Sequence, residues 1–412
     1  MKRLLNNLAP VILLLFPIVI IAGSVNGILS SSVYSFVRED LNNNSDRHIR
    51  TYQSLLLTGN NIGLKNSRFI VSSVFYYDPA SDFGDGKSYS AQIYNFNFHK
   101  RLLSNRLKII LGRHTVYSPS AFGRIDGLSG EYIYKTLKFK LFGGGYIPGT
   151  GFAGDPIANH LVGSEIKWLK NERMQLSIGL SNKAHAREIY KSIKTNRIIE
   201  VPATIQRRLG LKGYWSIDRI SLYMLARIHP TLFEMKDFNA HIDYSHGRID
   251  HLSFEFKFFE PRIPENSIFS VFDTYSTKEY RLSSDFKFTE KFTGSFQYRL
   301  VQFNDDHSQV LNLAVRDDHI YVQFTNQSGY GGKSNHVTGQ ISEQFKRTVL
   351  YGRVTLGNYR LIEGDITDRA TLVLGSRVPI YSKMSIKTEL QMLRNKYYAK
   401  DVRFLLNLSY RL

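Results

Sequence analysis

Val402-Arg403-Phe404-Leu405-Leu406-Asn407-Leu408-Ser409-Tyr410-Arg411-Leu412 is the stretch that decides the fold. In an extended strand Val402, Phe404, Leu406, Leu408, Tyr410 and Leu412 share one face, and Arg403, Leu405, Asn407, Ser409 and Arg411 share the other. The first face is apolar and carries an aromatic near its end; the second is mostly polar. Such a strand suits a boundary between two solvents, hydrocarbon on one side and water on the other.

Working outward, the same two-faced pattern recurs. Leu137, Phe139 and Leu141 alternate with Lys138 and Lys140; Met174, Leu176, Ile178 and Leu180 alternate with Gln175, Ser177, Gly179 and Ser181. Ile220, Leu222, Met224, Ala226 and Ile228 oppose Ser221, Tyr223 and Arg227, and Met384, Ile386, Leu390 and Met392 oppose Ser385, Lys387, Glu389 and Gln391. From about residue 47 onward the chain is a series of such segments, each of roughly 8 to 12 residues. No window has a helical period, no repeat is strict, and no linker splits the chain.

The connections alternate in length. Short ones fall near Ser104–Asn105, Lys170–Asn171, Ser216–Arg219, Glu290–Lys291, Asp317–Asp318, Lys346–Arg347 and Ile380–Lys383. Longer ones span 78–88, 115–126, 148–160, 183–203, 260–279, 327–334, 358–369 and 394–401. Short turns at one end and long loops at the other predict an all-β fold, a transmembrane antiparallel up-and-down β-barrel of about 18 strands, with a range of about 16 to 20. The short turns would be periplasmic and the long loops extracellular.

The opposite end of the sequence agrees. Lys2 and Arg3 precede an apolar run from Pro10 to Gly23, the layout of a signal peptide over residues 1–27, with cleavage after Ser24 or Gly27. An uncleaved membrane anchor is the alternative. Residues 28–46, with Asn42, Asn43 and Asn44 in a row, read as a periplasmic lead-in, and 47–412 as the barrel. After residue 27 no stretch approaches the roughly 18 apolar residues of a spanning helix. A chain like this spans a bilayer only as strands closed on themselves, because lipid cannot satisfy open backbone groups.

Composition narrows the partners. The chain has 412 residues, no cysteine and a mean hydropathy of −0.24, too polar for a helical membrane protein but not for a barrel with a wet lumen. Its 25 Tyr and 27 Phe suit aromatic girdles at two membrane interfaces. The formal charge is +19, about +17 without Lys2 and Arg3, which predicts affinity for anionic solutes, lipopolysaccharide phosphates or acidic polysaccharide. Nucleic acid is not expected: the basic residues are spread along strands and turns, behind an export signal.

As a whole the chain resembles the porin-like outer-membrane β-barrels of Gram-negative bacteria. Two segments carry the likeness: Leu111-Gly112-Arg113-His114 through Gly123-Arg124-Ile125-Asp126-Gly127-Leu128, and Asn266-Ser267-Ile268-Phe269-Ser270-Val271-Phe272. Both are similar to stretches of porin-like barrels and, more loosely, of 18-stranded polysaccharide-export barrels of the alginate-export type. The resemblance implies an outer-membrane location, contact with lipopolysaccharide and with the barrel-assembly machinery, and a monomer or homotrimer. In that setting Phe404, Leu406, Leu408, Tyr410 and Leu412 would form the assembly signal, with Tyr410 supplying the aromatic in place of a terminal Phe.

Function is expected from the sign of the lumen charge. The faces opposite the apolar ones carry Lys138, Lys140, Lys167, Arg227, Arg281, Lys287, Arg299, Arg353, Arg377, Lys387, Arg403 and Arg411, against clear counter-charges only at Glu165, Asp285 and Glu389. A low-dielectric wall lined with one sign concentrates the opposite ion, and rings of Arg and Lys favour anions in pores. On the lipid face each would cost about 2–4 kcal/mol at the midplane. The expected function is a channel for passive diffusion of small hydrophilic anions; the alternative is a surface barrel that binds or exports acidic polysaccharide or lipopolysaccharide.

Other patterns point less far. Gly143-Gly144-Gly145-Tyr146-Ile147-Pro148-Gly149-Thr150-Gly151 lacks the Gly-Lys-Ser/Thr ending of a phosphate-binding loop and reads as a strand end and flexible loop. His241, Asp243, His246, Asp250 and His251 match no standard metal spacing and read as a solvated turn and lumen face. Asp305-Asp306-His307 and Asp317-Asp318-His319 read as turn formers. No nucleophile motif is found, so neither catalysis nor a cofactor or metal is expected.

Overall fold

The structure is a computed structural model that describes residues 23–40, 42, 44–61, 63–79, 88–147, 155–186, 188–191, 198–201, 203–231, 233–260, 276–330, 332–360, 366–395 and 398–412. The wall strands are β1 (Ser24–Asp40), β2 (Ser45–Asn60), β3 (Ser67–Tyr77), β4 (Tyr89–Leu102), β5 (Leu107–Tyr117), β6 (Phe122–Tyr134), β7 (Leu137–Ile147), β8 (His160–Asn171), β9 (Met174–His185), β12 (Thr204–Ile217), β13 (Ile220–Ile228), β14 (Met235–His246), β15 (Ile249–Phe259), β16 (Thr277–Lys287), β17 (Thr293–Phe303), β18 (Asp306–Arg316), β19 (Ile320–Gly329), β20 (Lys333–Phe345), β21 (Thr348–Arg360), β22 (Thr367–Tyr381), β23 (Met384–Arg394) and β24 (Tyr398–Arg411). Each pairs antiparallel with its neighbour, β9 pairs with β12, and β24 pairs with β1, so the sheet of 22 strands closes. Closure leaves no edge strand facing lipid. Between β9 and β12, β10 (Glu188–Lys191) and β11 (Ile198–Val201) form a separate two-stranded hairpin.

All-β topology and closure match the sequence pattern, but the ring has 22 strands instead of about 18. An idealised circular ring of 22 strands, about 4.8 Å apart and tilted about 40°, measures about 44 Å between opposite backbones, against about 36 Å for 18. One added strand comes from residues 28–46, expected as an irregular lead-in. Ser24–Asp40 is β1, paired with β2 from Ser24↔Asn60 to Glu39↔Ser45 and with β24 from Ile28↔Arg411. Adjacent Ile28 and Leu29 and the run Ser30–Ser32 blur the alternation there, while the backbone ladder does not need it. The expected leader over residues 1–27 lies outside the described residues up to position 22; from Ser24 on it is strand.

The two ends differ as expected. Turns at 135–136, 172–173, 218–219, 247–248, 346–347 and 382–383 are two residues long and lie at the end where β1 begins. Several open with a residue at positive φ, such as Lys135 (52°), Asp218 (46°) and Lys346 (53°). The opposite end carries the longer connections. Of these, 261–275 lies outside the described residues and includes the Asn266–Phe272 segment; so does 148–154. The connection expected over 115–126 is instead a four-residue turn, Ser118–Ala121.

Candidate functional site

The site is built by one hairpin that leaves the wall. β3 and β4 stay paired up to Tyr77↔Tyr89, and β5 and β6 up to Tyr117↔Phe122. Between β4 and β5, however, pairing stops at Phe96↔Arg113. Beyond that point the β5–β6 hairpin curls over the sheet. Ser181 Oγ on β9 donates to the Ser120 carbonyl at 2.8 Å, Arg227 Nε on β13 to the Pro119 carbonyl at 2.8 Å, and Lys140 Nζ on β7 to the Tyr117 carbonyl at 2.6 Å. A strand pair can reach over that many neighbours only across the concave side of a closed sheet. The face bearing Lys140, Ser181 and Arg227 is therefore the inside. The alternate face, with Phe139, Leu141, Leu180 and Met224 exposed, is the outside.

Glycine makes the curl possible. Gly112, at φ 103°, stands opposite Gly127, which stands opposite Gly144. Gly112 is a backbone setting open to few other residues, and the row of three carries no side chain across the bend. Above it Val116, Ala121, Ile125, Phe142 and Leu161 form a buried cluster inside the curl, with Tyr146 packed against it. Where the turn rests on the far wall, Gly210 lies against Pro119 and Ser120, and Gly179 against Ser118 and Ser120.

Arg113 closes the seam that the curl opens. Its Nε and Nη2 hold the two carboxylate oxygens of Asp126 at 2.8 and 2.7 Å, and its Nη1 donates to the Ile93 carbonyl at 3.0 Å on the upper half of β4. Asn97 Nδ2 donates to the Arg113 carbonyl at 2.7 Å, and the Arg124 guanidinium lies 4.8 Å over the Tyr94 ring. The segment Leu111–Leu128 singled out in the sequence is thus the bend, the stitch and the shelf.

Beneath the turn is a cavity of about 380 Å³ lined by Lys138, Lys140, Lys167, Lys212 and Arg227, with Glu131 and Glu165 as the acids. Four of the expected lumen residues meet here: Lys138, Lys140, Lys167 and Arg227. Lys138 pairs with Glu131 at 2.8 Å and Arg227 with Asp237 at 2.8 Å. Lys167 and Lys212 form no ion pair among the described residues. Tyr223 was read on the polar face, but Lys212 and Tyr214 were missed in the sequence, although Leu211 and Trp215 flank them with outward apolar residues.

The other expected residues are spread around the polar face. Arg281 binds Glu255 and Glu279 at 3.1 and 2.6 Å, Lys287 binds Asp250 at 2.8 Å, Lys387 binds Glu389 at 3.3 Å, and Arg403 binds Asp401 at 2.6 Å. Counter-charges are therefore more numerous than the three clear ones read from the sequence. Arg299, Arg353 and Arg377 form no ion pair among the described residues; Arg299 stands directly opposite Arg281. Arg411 lies opposite Ile28 at the short-turn end. Phe404, Leu408, Tyr410 and Leu412 are exposed on the outer face of the seam strand, with Leu406 between them.

His241 contacts Asp243 at 2.7 Å and His251 approaches the same carboxylate at 3.6 Å, while His246 contacts Arg219 instead. No group of three or more His, Asp or Glu among the described residues is arranged to hold a metal.

A closed antiparallel sheet, apolar outside and charged inside, defines a transmembrane β-barrel. No family profile and no curated protein matches the sequence. Among solved structures the chain is similar to the P pilus usher (PapC) translocation pore, at 11% identity over 93% of this chain and 99% of that one, with a TM-score of 0.48. It is also similar to Pseudomonas aeruginosa OccK2 (OpdF), at 9% identity over 95% and 98% and a TM-score of 0.46, and to the Pseudomonas aeruginosa outer membrane protein opdK, at 8% identity over 95% and 99% and a TM-score of 0.46.

Proposed function

We propose that the protein is a passive channel of the Gram-negative outer membrane, exported by a leader, that admits small hydrophilic anions. The observation that carries this reading is the uncompensated charge of the inner face: Lys167, Lys212, Arg299, Arg353 and Arg377 have no ion-pair partner among the described residues. Cations held in a low-dielectric wall raise the local concentration of anions and slow their own kind. Selectivity then rests on lumen charge and on the narrowing made by the β5–β6 hairpin. No cofactor and no catalytic step enters the reading. Lipopolysaccharide and the barrel-assembly machinery are its partners, and it works as a monomer or homotrimer. The test is the reversal potential of the purified protein in planar bilayers under a potassium chloride gradient. Chloride preference is expected; a cation-selective reversal potential overturns it.

A second reading gains from the size of the ring. A lumen wider than that of 18 strands has space for a polymer, so a barrel that binds or exports acidic polysaccharide or lipopolysaccharide also fits. Retention of polyanion on a column without conductance steps would favour that reading over the first.

A further inference from the structure

We infer that the cavity beneath the β5–β6 turn is a binding site for a small anion carrying two or more negative charges. The inference rests on the channel reading and names what that channel holds in passage.

Cross-strand register sets the charges in a row. Lys138 stands directly opposite Lys167, Lys167 opposite Ser177, and Ser177 opposite Lys212. Like charges directly opposite on adjacent strands repel, and neighbouring strands are only about 5 Å apart. Lys138 is partly relieved by Glu131, but Lys167 and Lys212 form no ion pair among the described residues and share Glu165, which stands opposite Lys140, only at longer range. Lys140 is occupied from above by the Tyr117 carbonyl and stands between Glu131 and Glu165, its opposite numbers on the flanking strands. The acids therefore sit toward the Lys140 side, and the open positive charge lies along Lys167 and Lys212.

The space is shaped for such a guest. Ser118, Pro119 and Ala121 cap it, and Gln175, Ser177, Tyr214 and Tyr223 add polar side chains to its lining. Five cations face two carboxylates in the lining, and Arg227 is already paired with Asp237, so a divalent anion would answer the remaining excess where a monovalent one would leave half of it. A dicarboxylate, a tricarboxylate or a phosphate compound can span Lys167 and Lys212, two strands apart at about 10 Å between backbones, because lysine stems are long enough to converge. Partial enclosure strengthens each contact relative to bulk water.

The experiment is block of single-channel current at fixed ionic strength by citrate, pyrophosphate and acetate, with the first two separating carboxylate from phosphate recognition. Citrate or pyrophosphate should block at a concentration at least about tenfold below acetate, and K167Q/K212Q should raise that concentration by about tenfold or more. K383Q, in the short turn after β22, should leave block unchanged, and K167R/K212R should retain it. Equal block by citrate, pyrophosphate and acetate, or block unchanged in K167Q/K212Q, overturns the site while the channel stands. A protein that never conducts overturns the channel reading instead. The site is then read by calorimetry of citrate and pyrophosphate on the detergent-solubilised protein, where absence of heat for both overturns it.

Discussion

Arg227 Nε donates to the carbonyl oxygen of Pro119 at 2.8 Å across 108 residues of sequence, while Nη1 of the same guanidinium holds Asp237 at 2.8 Å. One side chain thus pins the inward turn to β13 and completes a carboxylate pair on β14. R227A should release the turn and leave Asp237 without its partner, at a cost of about 1.5–3 kcal/mol for hydrogen bonds to a charged group. Thermal melting in detergent should show the loss, and single-channel records should show a larger or noisier open state. R227K should not restore both contacts, since an ammonium lacks the rigid fork. An R227A protein with wild-type melting and current noise would mean that the tether carries no load.

The turn can be locked as well as released. A Cβ on Gly179 would lie 3.0 Å from Ser120 Oγ, a spacing a disulfide can bridge. Because the chain has no cysteine, S120C/G179C adds a single pair. Oxidation should give a faster-migrating band on a non-reducing gel and quieter current, and reductant should reverse both. Failure to cross-link under oxidising conditions would place the turn elsewhere.

Gly210 tests the fit of the turn against the wall. A Cβ there would collide with Pro119 and the Ser120 backbone nitrogen, neither of which is the free end of a side chain. G210A should therefore destabilise by about 1–3 kcal/mol, the range for overpacking. G339A, where a Cβ meets nothing within 4 Å, should be neutral. Melting curves of the two variants side by side make the comparison, and equal midpoints would refute the close approach.

The sequence made some of this visible and hid the rest for definite reasons. In β9 and β24 each residue's face follows from alternation, so Ser177, Ser181 and Arg403 could be placed inward before any contact was known. β1 was hidden because Ile28 and Leu29 are adjacent and Ser30–Ser32 has no apolar partner face, while its pairing with β24 depends on residues hundreds of positions away. The shared cavity of Lys138, Lys140, Lys167 and Arg227 required the register between strands, which alternation alone does not give. The same ignorance of register hid the carboxylates Glu131, Asp237 and Glu255, whereas Glu279 and Asp401, two residues from Arg281 and Arg403 on the same strands, were hidden because 260–279 and 394–401 read as loops. The turn at 118–121 looked like an ordinary outer loop because nothing local reports that Gly179 and Gly210 receive it.

Arg113 offers a test of the seam between β4 and β5. Its side chain is largely buried, forms a bidentate pair with Asp126, and supplies the donor that β5 no longer gives to Ile93. Arg113 is buried but Asp126 is more than a third exposed, so water partly serves the stranded carboxylate and the loss falls short of the about 3–5 kcal/mol of a fully buried pair. R113A should lose about 1.5–3 kcal/mol, the range for hydrogen bonds to a charged group, and R113K should recover little of it. R113M/D126L, which removes both charges, should be milder than R113A. If R113A and R113M/D126L melt together, the cost lies in the backbone contact to Ile93 and not in the stranded carboxylate.

Charge reversal separates stability from selectivity on the inner face. Arg281 already serves Glu255 and Glu279, so R281E would set three carboxylates together and should lower the melting midpoint. Arg299, Arg353 and Arg377 answer to no described carboxylate. R299E places a carboxylate opposite Arg281, and R353E and R377E stand on separate strands, so the triple R299E/R353E/R377E should fold with little loss. Each reversal changes the lumen charge by two, and the summed field of a narrow low-dielectric wall sets which ion accumulates. The triple variant should therefore move the reversal potential toward potassium, with the shift shrinking at high salt as the charges are screened. A reversal potential identical to that of the unaltered protein at low salt would mean that these three arginines do not line the path of the ions.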